Sequence, residues 1–460
     1  GTSQMLTCME ERLKALDAEA DVRLFGQEVN QETFAIAKAD MLIRGGNAEN
    51  MRLGNTLSDD KFKGYTFDYV ISNPPFGIDW KVEKKAVEQE AKLGDNGRFG
   101  VGLPHINDGQ QLFDLNGLSK LKDTGRMAII HNGSPLFTGD AGSGPCEIRK
   151  YIIENDWLEA IVQLPNDVFY NTGITTYIWI MTKNKAPHRR GKVQLIDASQ
   201  MYEKRRRSIG DKRNDITEEC REVVVRAYGE FLNKEYRLGD KVCESKVFDN
   251  EDFGYYKITI ERPLRLNFKI DDERIVRLYE ETAFKNLAKS KKKGEAGVKE
   301  VEEGKKLQEE IMETLKSMKS DKVYRNRDEF TKYLKDSFKK KGLSVKANIF
   351  KAILSALSER DETADICRDS KGNPEPDPEL RDYERVPLKE DIKEYFEREV
   401  KPYAEDAWID ESKTVIGYEI PFTRHFYKFE APEKSEVIAE RIIETEKKLM
   451  KLLNELFGEV

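Results

Sequence analysis

Histidine and cysteine are scarce in this 460-residue chain, and neither clusters. The five cysteines, Cys8, Cys146, Cys220, Cys243 and Cys367, contain no close pair, and the four histidines are equally dispersed. This argues against a disulfide framework and a zinc site, so no metal ligands are assigned and a reducing, cytoplasmic compartment is expected. No apolar stretch is long enough to span a bilayer. Positive charge is not in excess either: the formal net charge is −7, with 35% charged and 38% hydrophobic residues. Such a chain is no general nucleic-acid coat, and any DNA contact must come from local patches or from a partner. The chain opens at Gly-Thr-Ser, with neither an initiator Met nor a signal-peptide pattern. Its length suits two or three domains.

What is present is one stretch around which the rest is organised. Residues 67–80 read Phe-Asp-Tyr-Val-Ile-Ser-Asn-Pro-Pro-Phe-Gly-Ile-Asp-Trp. The apolar, β-branched start predicts a buried strand. Two consecutive prolines then end it, because neither has an N–H to donate and each forces its predecessor into an extended conformation. A rigid hook, Asn73-Pro74-Pro75-Phe76, should therefore stand at the carboxyl end of a strand, where open α/β sheets bind ligands. The Asn73 amide oxygen and the Pro74 carbonyl are adjacent acceptors for the two hydrogens of an amino group on a planar ring. Phe76 offers a face for that ring to stack on. The hook resembles the Asn/Asp-Pro-Pro-Tyr/Phe motif of amino-methyltransferases that use S-adenosylmethionine.

Periodicity predicts helices over residues 5–16 and 31–43 and strands over 22–25 and 51–53 ahead of the hook strand. After residues 81–104, read as a mobile surface loop, the prediction alternates helix 112–121, strand 126–131, helix 146–155 and strands 158–164, 175–182 and 193–197. This is the pattern of a doubly wound, mostly parallel α/β sheet, with a mainly helical C-terminal region following. Glu28 falls at a strand end where a doubly wound nucleotide fold places an acid to accept from two ribose hydroxyls. Asn55, with Thr56 beside it, falls at the next strand end, where it can contact an adenine ring. Phe169 and Tyr170 precede a late strand and are candidates for the second wall of a base pocket. Lys204, Arg205, Arg206, Arg207, Lys212 and Arg213 make a basic segment that is either a solvated patch or a phosphate contact. Residues 284–321 are rich in Lys and Glu, and residues 369–378 read as a loop.

Several blocks together resemble the modification (methyltransferase) subunit of type I restriction–modification systems. They are Phe25-Gly26-Gln27-Glu28-Val29-Asn30, residues 67–80, 125–130, 164–180 and 192–198 followed by Arg206, Ser208, Gly210, Lys212 and Arg213, then Phe253-Gly254-Tyr255-Tyr256, Glu261-Arg262-Pro263-Leu264 and residues 416–422. The resemblance implies methylation of adenine N6 in DNA by S-adenosylmethionine. It also implies partnership with a specificity subunit that reads DNA and a restriction subunit that can join. Asn73, Pro74, Pro75 and Phe76 would be the catalytic hook, and Gly1, Thr2, Glu28, Asn55, Thr56 and Asn73 would hold the cofactor. Gly1-Thr2-Ser3 matches only the tail of the family's first cofactor motif, with Ser3 where Gly is usual. The chain is thus expected to be part of a longer protein, or to receive the first strand from another segment. The expected division is a methyltransferase domain over 1–200, a mixed, mainly helical region over 201–405 and a C-terminal segment over 406–460. The last helix, 436–457, carries Ile438, Ile442, Thr445, Leu449, Leu452 and Leu456 at spacings of four and three. Such a seam packs either on its own domain or, as the resemblance implies, on the specificity subunit. A protein-glutamine N-methyltransferase, a catalytically inactive scaffold and a single-chain defence methyltransferase are the alternatives.

Overall fold

Residues 1–429 and 433–458 are described by the computed structural model. Residues 430–432 and 459–460 of the expected C-terminal segment lie outside the described residues. Two helix–strand pairs come first: α1 (Gln4–Leu16), β1 (Gly26–Glu28), α2 (Gln31–Ile43) and β2 (Met51–Leu53). The Asn30 side chain caps α2 by accepting from the Thr33 N–H at 2.9 Å. Strands β1 and β2 are parallel, pairing Gly26 with Met51 and Glu28 with Leu53. The strand is thus four residues later than the apolar run 22–25 predicted. Only residues 26–28 face a partner strand, while Leu24 packs sideways on a small core of Met41, Ala48 and Met51.

The main sheet begins with β3 (Phe67–Ser72) and continues through β4 (Leu121–His131), β5 (Leu158–Gln163), β6 (Tyr177–Thr182) and β7 (Lys192–Asp197). A two-stranded ribbon, β8 (Glu203–Ile209) and β9 (Lys212–Asp215), follows, and then β10 (Lys234–Leu238) and β11 (Lys241–Asp249). The seven-stranded order is β10-β11-β7-β5-β6-β4-β3. Strands β3, β4, β5, β7 and β10 run one way and β6 and β11 the other. Most strands therefore share a direction, as expected for the doubly wound class. Helices α3 (Lys84–Ala91), α4 (Gln110–Ser119), α5 (Ser134–Phe137) and α6 (Gly144–Glu154) lie between these strands in sequence, and α7 (Glu218–Glu230) precedes β10. Strands β1 and β2 form their own ladder, and among the described residues neither pairs with β3. Consequently β3 is an edge strand and only half-buried, with Tyr69 exposed, rather than the buried strand its composition predicts.

Two compact units result: Gly1–Phe253 together with Tyr418–Val460, and Gly254–Gly417. The expected boundary at 200 falls inside the first, because β11 pairs with β7 and carries β10 into the same sheet. The boundary at 405 falls inside the second, where Gly254–Glu261 pairs with Asp382–Pro387 and with Trp408–Ile409. The second unit's largest core sets helices Glu295–Lys316, Arg327–Lys340 and Ala347–Ala356 around Phe268 of a three-stranded sheet. The Lys/Glu-rich segment thus forms a helix with one dry side, burying Ile311, Met312 and Leu315. In the first unit, the returning Tyr418 meets α6. Arg149, fully buried, donates to the carbonyls of Tyr418 (2.6 Å), Pro135 (2.9 Å) and Thr138 (3.1 Å). The last helix, Ser435–Phe457, exposes Ile442, Leu449, Leu452 and Leu456. No helix among the described residues is long and apolar enough to cross a membrane.

Candidate active site

The hook follows β3 as expected. Asn73 and Pro75 are exposed, Phe76 is half-buried and Pro74 is buried. Pro74 therefore anchors the turn while Asn73 stays exposed. Gly77 closes the turn with φ +61°, a left-handed conformation that glycine adopts without strain. Downstream, Trp80 is buried and donates from Nε1 to the His105 carbonyl at 3.0 Å. Its N–H reaches the Ile106 carbonyl (3.1 Å), and the Gly109 N–H reaches Ile78 (3.2 Å). The hook is thus clamped between a buried proline and a buried indole.

A second cluster gathers the candidate cofactor residues. Glu28 ends β1. Its Oε1 accepts from the Asn30 N–H at 2.7 Å, and its Oε2 accepts from the Gly1 amino group. Gly1 and Glu28 thus meet, with Thr2 between Gly1 and the start of α1. Ser3 caps α1 with φ +63°, the backbone that glycine takes readily and serine pays about 1 kcal/mol to hold. Asn55 follows β2. Its Oδ1 accepts from the Leu57 N–H (2.9 Å) and its Nδ2 donates to Glu83 Oε1 (2.7 Å). Arg98 completes this arrangement by donating to the carbonyls of Thr56 (2.7 Å) and Leu57 (3.2 Å), to Asn116 Oδ1 and to both Glu90 oxygens. Residues 81–104, expected to form a mobile loop, are therefore built in. They contain α3, bury Val87 and Phe99 completely, and brace the 55–57 turn through Glu83 and Arg98. Glu83 and Arg98 escaped the sequence reading because a charged, Gly-rich stretch hides two apolar anchors.

The end of β4 holds a polar network that the sequence reading also left unassigned. Gln110, fully buried, donates from Nε2 to Asp108 (2.9 Å) and Asn132 (3.0 Å) and accepts from the Asn132 N–H. Ser134 Oγ donates to Asp108. Beneath it, His131 Nε2 and Asp114 Oδ1 lie 2.7 Å apart, both fully buried. Burial pushes the Asp114 carboxyl above the ordinary range, partly offset by His131. The Asn-Gly-Ser-Pro that follows β4 was the only sequence signal for this network.

The third cluster is the 166–172 loop. Phe169 is half-buried and bridges to Thr172, while Tyr170 is exposed, with the Lys212 ammonium 5.2 Å from its ring. Among the described residues no hydrogen bond or ring contact joins this loop to Asn73 or Phe76, or the hook to Glu28. The structure therefore groups the candidates by strand end, after β1, β2, β3 and β5.

The protein is thus of the doubly wound α/β class, with an Asn-Pro-Pro-Phe hook at a strand end. Residues 1–267 match the N-6 DNA Methylase family, and the chain belongs to that family. It is 27% identical over 302 residues to the type I restriction enzyme MjaIX methylase subunit of Methanocaldococcus jannaschii, covering 65% of this chain and 50% of the relative. It is 28% identical over 213 residues to the type I restriction enzyme EcoKI methylase subunit of Escherichia coli, covering 45% of this chain and 37% of the relative. A crystal structure of the type I restriction-modification methyltransferase subunit from Streptococcus thermophilus superposes with a TM-score of 0.42 at 28% identity, over 50% of this chain and 45% of that one. The chain spans about half the length, or less, of these relatives.

Proposed function

We propose that this chain transfers a methyl group from S-adenosylmethionine to adenine N6 in DNA, as the modification subunit of a cytoplasmic type I restriction–modification assembly. The observation that carries the reading is the clamped hook with Asn73 open to solvent. The cofactor residues fit the same reading. Glu28 ends β1 with its carboxylate turned toward Gly1, and the braced Asn55-Thr56 turn ends β2. Glu28 would accept from the ribose hydroxyls, and the 55–56 turn would face the adenine of the cofactor. S-adenosylmethionine supplies an electrophilic methyl group on sulfur.

Everything else is positioning. A base stacked in a duplex cannot enter the crevice, so the target adenine is flipped out. The Asn73 amide oxygen and the Pro74 carbonyl accept its two N6 hydrogens, which orients the nitrogen and raises its nucleophilicity. Phe76 and the 169–170 aromatics stack on the ring. On accepting the methyl group, N6 would lose one proton, which water beside the exposed Asn73 would take up. Alignment supplies most of the acceleration. Labelled methyl transfer to duplex DNA tests the reading: label recovered as N6-methyladenine is expected, and label on glutamine of a peptide instead would overturn it. The left-handed Ser3 favours the inactive-scaffold alternative; calorimetric binding of S-adenosylmethionine would dismiss it.

The exposed seam of helix Ser435–Phe457 supports docking on a helical spacer of the specificity subunit, with the restriction subunit joining the same assembly. Ile442→Glu with Leu449→Glu is expected to abolish co-purification with that subunit and leave thermal unfolding of the chain unchanged. Undiminished co-purification would exclude the helix as the docking element.

A further inference from the structure

The basic segment forms a two-stranded ribbon. Strands β8 and β9 turn at Gly210-Asp211 and pair Lys204 with Asn214 and Ile209 with Lys212. Six cations and three carboxylates lie within residues 203–215 of a chain whose net charge is −7. They divide into two sets. Arg205 and Lys212 are half-buried and held by Asp215, at 2.6 and 3.1 Å. Lys204, Arg206, Arg207 and Arg213 are exposed, and among the described residues their side chains form no ion pair.

The ribbon is also fused to the aromatic loop. The Asp211 N–H donates to the Tyr170 carbonyl at 2.9 Å, and the N–H groups of Arg213 and Asn214 donate to Asp167 at 2.9 and 3.1 Å. The Asn214 amide donates to the Asn166 carbonyl at 2.8 Å. Gly210 has φ +58°, and a Cβ there would lie 2.2 Å from the Tyr170 carbonyl oxygen. Turn and loop are thus in close backbone contact.

We propose that this ribbon is a duplex-gripping arm: Lys204, Arg206, Arg207 and Arg213 neutralise DNA phosphates flanking the target base, and the backbone bonds to Asp167 and Tyr170 hold the aromatic loop in register with that grip. The inference rests on the methyltransferase reading and extends it to the DNA backbone. Three of the four free cations are arginines, whose planar fork fits phosphate oxygens in pairs. A two-stranded ribbon is also narrow enough to enter a major groove. An acidic protein partner is the competing occupant, disfavoured because the arm is joined to the candidate base wall.

The test is the salt dependence of binding of the 460-residue chain to a short fluorescent duplex. With Lys204, Arg206, Arg207 and Arg213 all changed to Gln, the slope of log Kobs against log salt is expected to become shallower by roughly 3 to 4. If that variant misfolds, Arg206→Gln alone should flatten the slope by roughly 0.9. A folded variant with the parental slope would overturn the proposal, as would tighter binding of the parent to polyglutamate than to the duplex. Gly210→Ala is expected to lower kcat while keeping the slope, and an unchanged kcat would sever the link to the aromatic loop. Failure of the underlying reading looks different: an Asn73→Ala chain that methylates DNA normally removes the hook chemistry and leaves the slope result standing.

Discussion

Replacing Asn73 by Ala is expected to slow methyl transfer roughly a hundredfold or more, far more than it weakens S-adenosylmethionine binding. The expectation follows from what the substitution removes. One of the two acceptors for the N6 hydrogens disappears, and the Pro74 carbonyl alone cannot fix the rotation of the amino group. The backbone of the hook is unaffected, because its shape comes from Pro74, Pro75 and the clamp at Trp80. Asn73 is exposed, so stability should change by no more than about 0.5 kcal/mol. Asn73→Asp keeps an acceptor oxygen and should retain part of the rate. Single-turnover transfer at saturating cofactor, paired with calorimetry, separates chemistry from binding. A parental rate in the Ala variant would exclude Asn73 from the chemistry.

Arg149→Ala is expected to be the most destabilising of these changes, by about 3 kcal/mol or more. The guanidinium is fully buried on α6 and satisfies carbonyls of Pro135, Thr138 and the returning Tyr418. Alanine leaves these three acceptors short of a donor and opens a cavity. The same bonds tie residue 418 to the segment after β4, whose polar network stands at the next strand end from the hook. Loss of Arg149 should therefore lower both the urea midpoint and methyl transfer. Arg149→Lys keeps the charge without the fork and should recover only part of the loss. An unchanged midpoint in the Ala variant would show that the buried carbonyls find other donors.

Legibility in the sequence followed local rules closely. Helix α2 and strand β2 occur where periodicity put them, and α1 begins one residue earlier than predicted. The hook was readable because two prolines dictate backbone geometry whatever surrounds them. Strand β1 was misplaced because Val22, Leu24 and Phe25 form an apolar run that joins no strand ladder among the described residues, whereas pairing with β2 selects residues 26–28. The depth of β3 was misjudged for a similar reason. A β-branched run reads as buried, but a strand with one neighbour leaves Tyr69 at the surface. The bracing by Glu83 and Arg98 and the network around Gln110 depend on partners 18 to 42 residues apart, beyond any local pattern.

By itself, then, the sequence determined the elements whose geometry is local: the capped helix, the proline-locked hook, and the seam along the last helix. Tertiary structure alone decided which strand ends gather the candidate groups, that the charged 81–104 stretch braces the 55–57 turn, and that the basic run is a ribbon bonded to the Tyr170 loop. The reason is that dihedral restrictions and side-chain period act within a few residues. Hydrogen-bond pairing and burial instead depend on which distant segments come to lie alongside.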